Sequence, residues 1–324
     1  MLTFHGLAGT SGKNGEGKST TMRLICGLHQ PSSGTVQVLG TQLTPFTARH
    51  IQSQIALCPQ ENVIWPDLTC LEHLQILAKI RGVQVDASAG TLDEYLIHLL
   101  HDVYLGTRAN EYAGTMSGGQ KRKLCMAMAL LGSPAVILLD EPTSNMDVYT
   151  RQHAWSLIQQ ARKHSTVIIT SHSMEEIEQV SDYVALIKKG QVRVVGTPLW
   201  IKSKFCSGSR IVLLPDQSAS APFNAGKVLS VVRDHFGAAE LIAHHPTSVL
   251  IHVPVPEGQV PGVHSEKAAA FLESWDNVNQ EKQLGVAGIS LSLIPLEDVF
   301  IKLNDEWDQE PDEDDMIPAA HTES

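Results

Sequence analysis

The chain has 324 residues, 43% of them hydrophobic and 18% charged, a globular balance with room for more than one domain. Its 24 Lys plus Arg stand against 35 Asp plus Glu, and the net charge of -11 excludes a protein held chiefly on nucleic-acid phosphates. The five cysteines (Cys26, Cys58, Cys70, Cys125, Cys206) form no C-x-x-C pair and have no histidine at ligand spacing, so they indicate neither a zinc site nor a disulfide framework, and a reducing compartment fits best.

The opening run MLTFHGLAGTS reads as weakly structured, with Leu2–Phe4 too short to be a convincing strand. It leads into GKNGEGKS, Gly12 to Ser19, which fits G-x-x-x-x-G-K-[ST]. In that pattern the glycines let backbone N–H groups wrap an anion at a helix N-terminus, the lysine reaches the β- and γ-phosphates, and the hydroxyl suits magnesium. A helix follows and ends at Gly27. Ser33–Leu43 alternates like a solvent-facing strand with a turn at Gly40, a helix covers Thr47–Gln54, and the next strand ends at Pro59, where Gln60 opens a loop. Leu71–Ile80 and Leu92–Leu105 carry apolar residues at helical spacing, so the region up to Ala113 reads as a mainly helical insert.

From Thr115 to Asp147 a Gly-rich turn, a basic amphipathic helix and an apolar strand follow one another directly. Val136–Leu139 is apolar on both alternating faces, as in a strand covered on both sides inside a parallel sheet. Asp140 and Glu141 then stand at its carboxyl end, the edge at which open α/β sheets bind their ligands, and two adjacent acids there suit a metal and a water. A helix from Thr150 to Lys163 precedes a second buried strand, Val167–His172, whose polar end follows the same logic. The helix Met174–Val180 and the strands Tyr183–Lys188 and Gln191–Val195 close a first domain, 1–205.

A second domain, 206–304, reads as strand Arg210–Leu214, helix Gly226–Phe236, strand Ser248–Val253, helix Ser265–Trp275, strand Ile289–Ile294 and helix Pro295–Leu303. This β-α-β-α-β-α order predicts a small α+β sandwich of ferredoxin-like type. The adjacent His244 and His245 are expected to be exposed, and the acidic stretch 305–324 to be a disordered tail.

Together these motifs resemble the nucleotide-binding domain of ATP-binding cassette transporters, an α/β P-loop NTPase fold, over Gly12 to about Phe205. SGGQ at Ser117–Gln120, preceded by Met116 where the family usually has Leu, is the most specific element. CPQENVIWPDLT, SGGQKRKL, TSNMD and TSHSMEEIE are similar to the subfamily A lipid transporters, which carry two cassettes in one chain, and the helix at Leu296–Phe300 resembles the end of the regulatory domain that follows those cassettes.

The resemblance implies ATP and Mg2+ as cofactors. Gly12, Asn14, Gly15, Gly17, Lys18, Ser19 and Thr20 would cradle the triphosphate, while Ser19, Asp140 and Gln60 would surround the metal. Glu141 would polarise the attacking water, His172 would contact the γ-phosphate, and Gln60 would link the site to a membrane domain. Ser117, Gly118, Gly119, Gln120 and Asp147 would complete the site on a second cassette. The implied partners are therefore another cassette and a transmembrane domain on its cytoplasmic side, with no nucleic acid. The family's antiparallel strand pair and adenine-stacking aromatic lie before the phosphate loop, where only Phe4 is available, so the expectation is an N-terminally truncated cassette that holds adenine poorly. Two other readings stay open: a soluble cassette acting in translation or repair, and an impaired cassette serving as a binding or regulatory module.

Overall fold

The computed structural model describes residues 7–11, 15–85, 90–205, 208–216, 223–245, 247–254, 261–282 and 284–309. Its contacts divide the chain into two compact units, Met1–Pro198 and Leu199–Ser324.

The first unit runs β1 (Leu7–Ser11), α1 (Lys18–Ile25), β2 (Gln37–Val38), β3 (Thr41–Gln42), α2 (Ala48–Ser53), β4 (Ile55–Cys58), α3 (Cys70–Arg81) and α4 (Leu92–Asp102). It continues through α5 (Gly118–Leu130), β5 (Val136–Asp140), α6 (Val148–Ala161), β6 (Thr166–Thr170), α7 (Met174–Val180), β7 (Tyr183–Lys188) and β8 (Gln191–Gly196). The six-stranded sheet has the order β4-β5-β6-β1-β7-β8, parallel from β4 to β7 with β8 antiparallel at the edge. Met22 and Cys26 of α1 and Ile51 of α2 pack on Val136, Leu138 and Ile168, and by strand alternation Ile137 and Leu139 face the other side. All five residues of β5 are buried, as its two-sided apolar run requires.

The helices start where local chemistry satisfies their first N–H groups. Thr69 with Glu72, Thr91 with Glu94, and Ser117 with Gln120 form reciprocal capping boxes at α3, α4 and α5. The helical insert is thus built from α3 and α4, packed on each other and on α5. Ser33–Leu43 is a smaller element than its alternation predicts: two antiparallel two-residue strands joined by a turn with Leu39 and Gly40 at positive φ.

The N-terminal expectation is corrected. LAGTS is not weakly structured; as β1 it lies between β6 and β7, so the phosphate loop hangs from a central strand. Its small residues hid it. A Cβ at Gly9 would come within 2.6 Å of Ile177 Cγ2, so the close approach of α7 selects a residue with no side chain where a buried strand usually carries Val or Ile. Leu2–Phe4 lies outside the described residues.

After α8 (Pro198–Phe205) the second unit contains β9 (Gly208–Pro215), α9 (Ala225–Phe236), β10 (Glu240–His245), β11 (Ser248–Pro254), α10 (Pro261–Lys282), β12 (Val286–Leu293) and α11 (Leu296–Gln309). Its four-stranded sheet has the order β10-β11-β9-β12, with every neighbouring pair antiparallel. Val228, Val231, Val232 and Phe236 of α9 and Phe271 and Trp275 of α10 bury one sheet face through Ile211, Leu213, Val249, Ile251 and Val253.

Two expectations change here. The β-α-β-α-β-α order omitted β10, an edge strand whose Leu241 and Ile242 are exposed and whose register shifts between Leu241 and Ala243, so no period of two marks it. The segment 305–309 belongs to α11 and is not a disordered tail, because Val299 and Leu303 bury this helix and carry it past Asp305. Residues 310–324 and Cys206 lie outside the described residues. Among the described residues no helix is long and apolar enough to cross a membrane.

Candidate functional site

The parallel register brings the chemistry to one row at the carboxyl edge of the first sheet. Asp140 of β5 is level with Thr170 of β6, and Thr170 is level with Thr10 of β1. From β1 the chain passes through the phosphate loop into α1, which starts after Gly17 with φ 99°. Gly15 has φ 88°, so both glycines occupy backbone conformations that other residues adopt only with strain. The loop is braced from the β7–β8 turn, where Lys189 N donates to the Glu16 carboxylate and Gly190 N donates to the Glu16 carbonyl at 3.1 Å.

Lys18, on the first turn of α1, is buried. Desolvation lowers its pKa below the ordinary lysine value, and the nearby carboxylates Glu141, Asp140 and Glu16 pull it back up. Asp140 is also buried, and its Oδ1 accepts from Thr170 Oγ1 at 2.5 Å. Glu141 stands at φ 50°, and its N–H donates to both the Thr170 carbonyl (3.1 Å) and the Thr170 hydroxyl (3.0 Å). A left-handed non-glycine residue costs on the order of 1 kcal/mol, and its persistence at this acid fits a site where geometry outranks local stability. His172 Nδ1 lies 3.3 Å from Glu141 Oε2, with the rest of the imidazole largely exposed.

Arg122, unassigned by sequence reasoning, ties these parts together. It is 2% exposed, and its guanidinium meets four main-chain carbonyls: Pro59 at 2.5 Å, Gln60 at 3.2 Å, Asp140 at 2.5 Å and Pro142 at 3.3 Å. The Gln60 main chain is thereby fixed while its side chain stays exposed. The far end of the same loop is held by the buried His73, which accepts from Trp65 N at 2.9 Å and contacts the Thr69 carbonyl at 2.7 Å. Thr170 is the second residue passed over. The signals for both were in plain sight: a cation inside an otherwise apolar helix face, and a threonine ending a buried strand.

Ser117 caps α5 by accepting from Gln120 N at 3.3 Å, and Ser117 N donates to Gln120 Oε1 at 2.9 Å. A Cβ at Gly119 would lie 3.4 Å from the Asn145 carbonyl, so this turn sits against the loop that leads to Asp147. Asp147 caps α6, accepting from Thr150 N (3.0 Å) and Thr150 Oγ1 (2.7 Å), and these two bonds hold its carboxyl below the usual range. Among the described residues, none of the hydrogen bonds of Ser117, Gln120 or Asp147 reaches Lys18, Asp140 or Glu141. The site residues therefore form two groups: Gly15, Gly17, Lys18, Asp140, Glu141 and His172 at the sheet edge, with Ser19 half-buried and Thr20 exposed beside them, and Ser117–Gln120 with Asp147 at the ends of α5 and α6. Gly12 and Asn14 lie outside the described residues.

A buried cation at a helix N-terminus, flanked by two carboxylates, can hold a phosphate chain and a hard cation together. Among the described residues no cluster of three or more His, Cys, Asp or Glu forms a cage for a metal. One carboxylate, Asp140, with the Ser19 hydroxyl near the loop is the donor set that suits Mg2+, which keeps waters and shares phosphate oxygens.

Residues 6–144 match the ABC transporter family. ABC transporter A family member 5 of Dictyostelium discoideum is 30% identical over 305 residues, 94% of this chain and 17% of that protein. Phospholipid-transporting ATPase ABCA3 of Rattus norvegicus is 31% identical over 292 residues, 90% of this chain and 16% of its own length. The chain thus spans about a sixth of each of these relatives. A solved ATP-binding subunit of an ABC transporter superposes with a TM-score of 0.57 at 26% identity, covering 62% of this chain and 82% of that one.

Proposed function

Since the chain belongs to the ABC transporter family through the P-loop NTPase cassette in its first unit, and its relatives are of subfamily A type, we propose that this cassette hydrolyses ATP in partnership with a second cassette. The energy released drives a membrane domain that moves phospholipid or a related amphiphile. The observation that carries the reading is the row at the sheet edge: Lys18 buried beside Asp140 and Glu141, with His172 bonded to Glu141.

In this reading the N–H groups of the Gly12–Ser19 loop, with Asn14 and Thr20 beside them, surround the triphosphate, and Lys18 neutralises its β- and γ-oxygens. Asp140, held by Thr170, would hold Mg2+ together with Ser19 and Gln60, and the metal would supply neutralisation of phosphate charge. Glu141 orients the attacking water and takes up its proton, and its backbone bonds to Thr170 fix where its carboxylate stands. His172 keeps Nδ1 on Glu141, leaving Nε2 on the exposed side for the γ-phosphate. Ser117, Gly118, Gly119 and Gln120 present the N-terminus of α5, whose dipole favours an anion, to the nucleotide of a second cassette, and Asp147 borders the same surface. The order β-α-β-β-α-β-α of the second unit, with its two central strands β11 and β9, supports a ferredoxin-like module, and the resemblance of Leu296–Phe300 to the end of the subfamily A regulatory domain is the ground for giving it a regulatory role.

The assembly is tested by sedimentation of the Glu141→Gln variant with and without MgATP, alone and with candidate partner cassettes. Ligand shared between Lys18 of one cassette and Ser117 of another selects the dimer by mass action, so a nucleotide-dependent shift is expected. No shift with any partner would favour an impaired module. Removing Lys18 in the Glu141→Gln background should abolish the shift.

A further inference from the structure

We infer that, within the hydrolytic reading of the sheet edge proposed above, Glu176 of α7 is a positioning residue. Its carboxylate joins the loop that carries Asp147 to the loop that carries His172, so that contact with a second cassette at Asp147 sets the placement of His172. In the sequence Glu176 is one more acid on a short amphipathic helix, whose Met174, Ile177 and Val180 are buried. Its side chain is only 11% exposed, so this acid is turned into the protein and not toward solvent.

The partners of the carboxylate come from the segments that follow β5 and β6. Its Oε2 accepts from Thr143 Oγ1 at 2.9 Å and from Ser171 Oγ at 3.2 Å, and both hydroxyl residues are buried. Thr143 stands in the turn after Glu141, where Ser144 N donates to the Glu141 carbonyl and Met146 N donates to the Thr143 carbonyl, each at 3.2 Å. Ser171 immediately precedes His172, and its hydroxyl also accepts from Ser173 N at 3.0 Å, so His172 is held between two residues bonded to each other. The other oxygen, Oε1, lies 3.1 Å from Arg151 Nε, and Arg151 Nη2 donates at 3.2 Å to the carbonyl of Met146, the residue before Asp147.

This joint requires a carboxylate. Two hydroxyl donors converge on one oxygen and a guanidinium stands at the other, and an ionised acid meets both sides as an acceptor. A glutamine would have to aim its NH2 group at the guanidinium, where two donors meet, or at the hydroxyls, whose hydrogens then need another acceptor. Arg151 Nε is buried and, despite its distance from Oε1, its N–H has no aligned acceptor. The joint therefore has slack on the Asp147 side, which contact there can take up.

The experiment compares amide hydrogen exchange of the full chain and its Glu176→Gln variant, without nucleotide, by mass spectrometry. Amides in 143–147 and in 171–173 should both exchange faster by about tenfold or more in the variant, while those of β5 and β6 stay protected. Arg151→Gln should loosen both segments as well, and the double variant should be no worse than Glu176→Gln alone, because the two residues act as one unit. Arg151 is 40% exposed, so solvent takes up its charge when residue 176 becomes neutral, and the thermal midpoint checks that the variant stays folded. Turnover is measured on the same proteins beside Glu141→Gln. Glu176→Gln should lower kcat by about tenfold with KM changed less than about twofold, and Glu176→Asp, which keeps the charge, should recover part of the loss. Thr143→Val removes one donor, leaves the ion pair in place and should reproduce part of the fall in kcat, so the test stands even where Glu176→Gln lowers the midpoint. Faster exchange in only one segment, or in neither, would overturn the joint and leave Glu176 a local support of its own helix. An unchanged kcat in Glu176→Gln, with Glu141→Gln impaired, would overturn it too. If Glu141→Gln itself turns over like the parent, the hydrolytic reading fails, and the exchange of the two segments alone decides whether Glu176 joins them.

Discussion

Arg122 Nη1 donates to the Gln60 carbonyl at 3.2 Å, so the helix that begins beside Ser117 and the loop that bears Gln60 are joined through one buried guanidinium. The same side chain reaches the Asp140 carbonyl, which places three parts of the candidate site on one group.

Arg122→Met keeps the volume and removes every one of these donors. It should destabilise the chain by on the order of 3 kcal/mol or more, because buried carbonyls are left without partners. Arg122→Lys should recover part of the stability and little of the turnover, since a single ammonium cannot span the Pro59, Gln60, Asp140 and Pro142 carbonyls. Urea midpoints beside ATP turnover check this; a Met variant as stable as the parent would refute the bracing role.

Thr170 donates to Asp140 Oδ1 and accepts from Glu141 N, so it positions both acids while it is itself buried. Thr170→Val should lower kcat by about tenfold with a smaller change in KM, and Thr170→Ser should restore it. Equal loss in Val and Ser variants would mean that packing, not the hydroxyl, is what matters.

Lys18 is held in a place that costs it solvation, with its pKa lowered by burial. Lys18→Met should abolish ATP binding while the thermal midpoint without nucleotide holds or rises, the pattern of a residue kept for function. A fall in the midpoint with intact nucleotide affinity would contradict this.

Burial pushes the Cys58 thiol up to about 12 and the Cys26 thiol up to about 11 from an ordinary 9.0, and it also raises Cys70 and Cys125. All four should resist alkylation in the folded chain near about pH 8 and react together on unfolding. Because the folded state holds these protons more tightly, their contribution to stability is full below the ordinary value of 9.0 and is lost as pH rises toward about 11 and 12. Mass spectrometry of labelled native protein provides the check, and rapid native labelling of Cys58 would contradict it.

What the sequence made legible follows from where local rules and tertiary needs agree. β5 announces itself because a strand covered on both faces must be apolar throughout, and α3 and α4 because their apolar residues recur at helical spacing. β1 was illegible because the packing of α7 replaced its bulk with Gly9, a constraint imposed from residues 168 positions away at Ile177. β10 was hidden by its bulge and its exposed edge. At the sheet edge, Lys18, Asp140 and Glu141 stand out by their motifs, whereas Arg122 and Thr170 show in the sequence only as a cation on an apolar helix face and a threonine ending a buried strand, and the distant partners they hold appear only in the fold.

Hydrolysis by Glu141 is tested most directly by phosphate release from the Glu141→Gln variant, assayed beside the parent chain in the dimer identified by sedimentation. Turnover should fall by about 100-fold or more while ATP affinity stays within a few-fold, because the amide keeps the shape of the carboxylate and loses its capacity to accept the water's proton. Turnover equal to that of the parent chain would contradict the assignment of Glu141 and, with it, the reading of this sheet edge as a hydrolytic site.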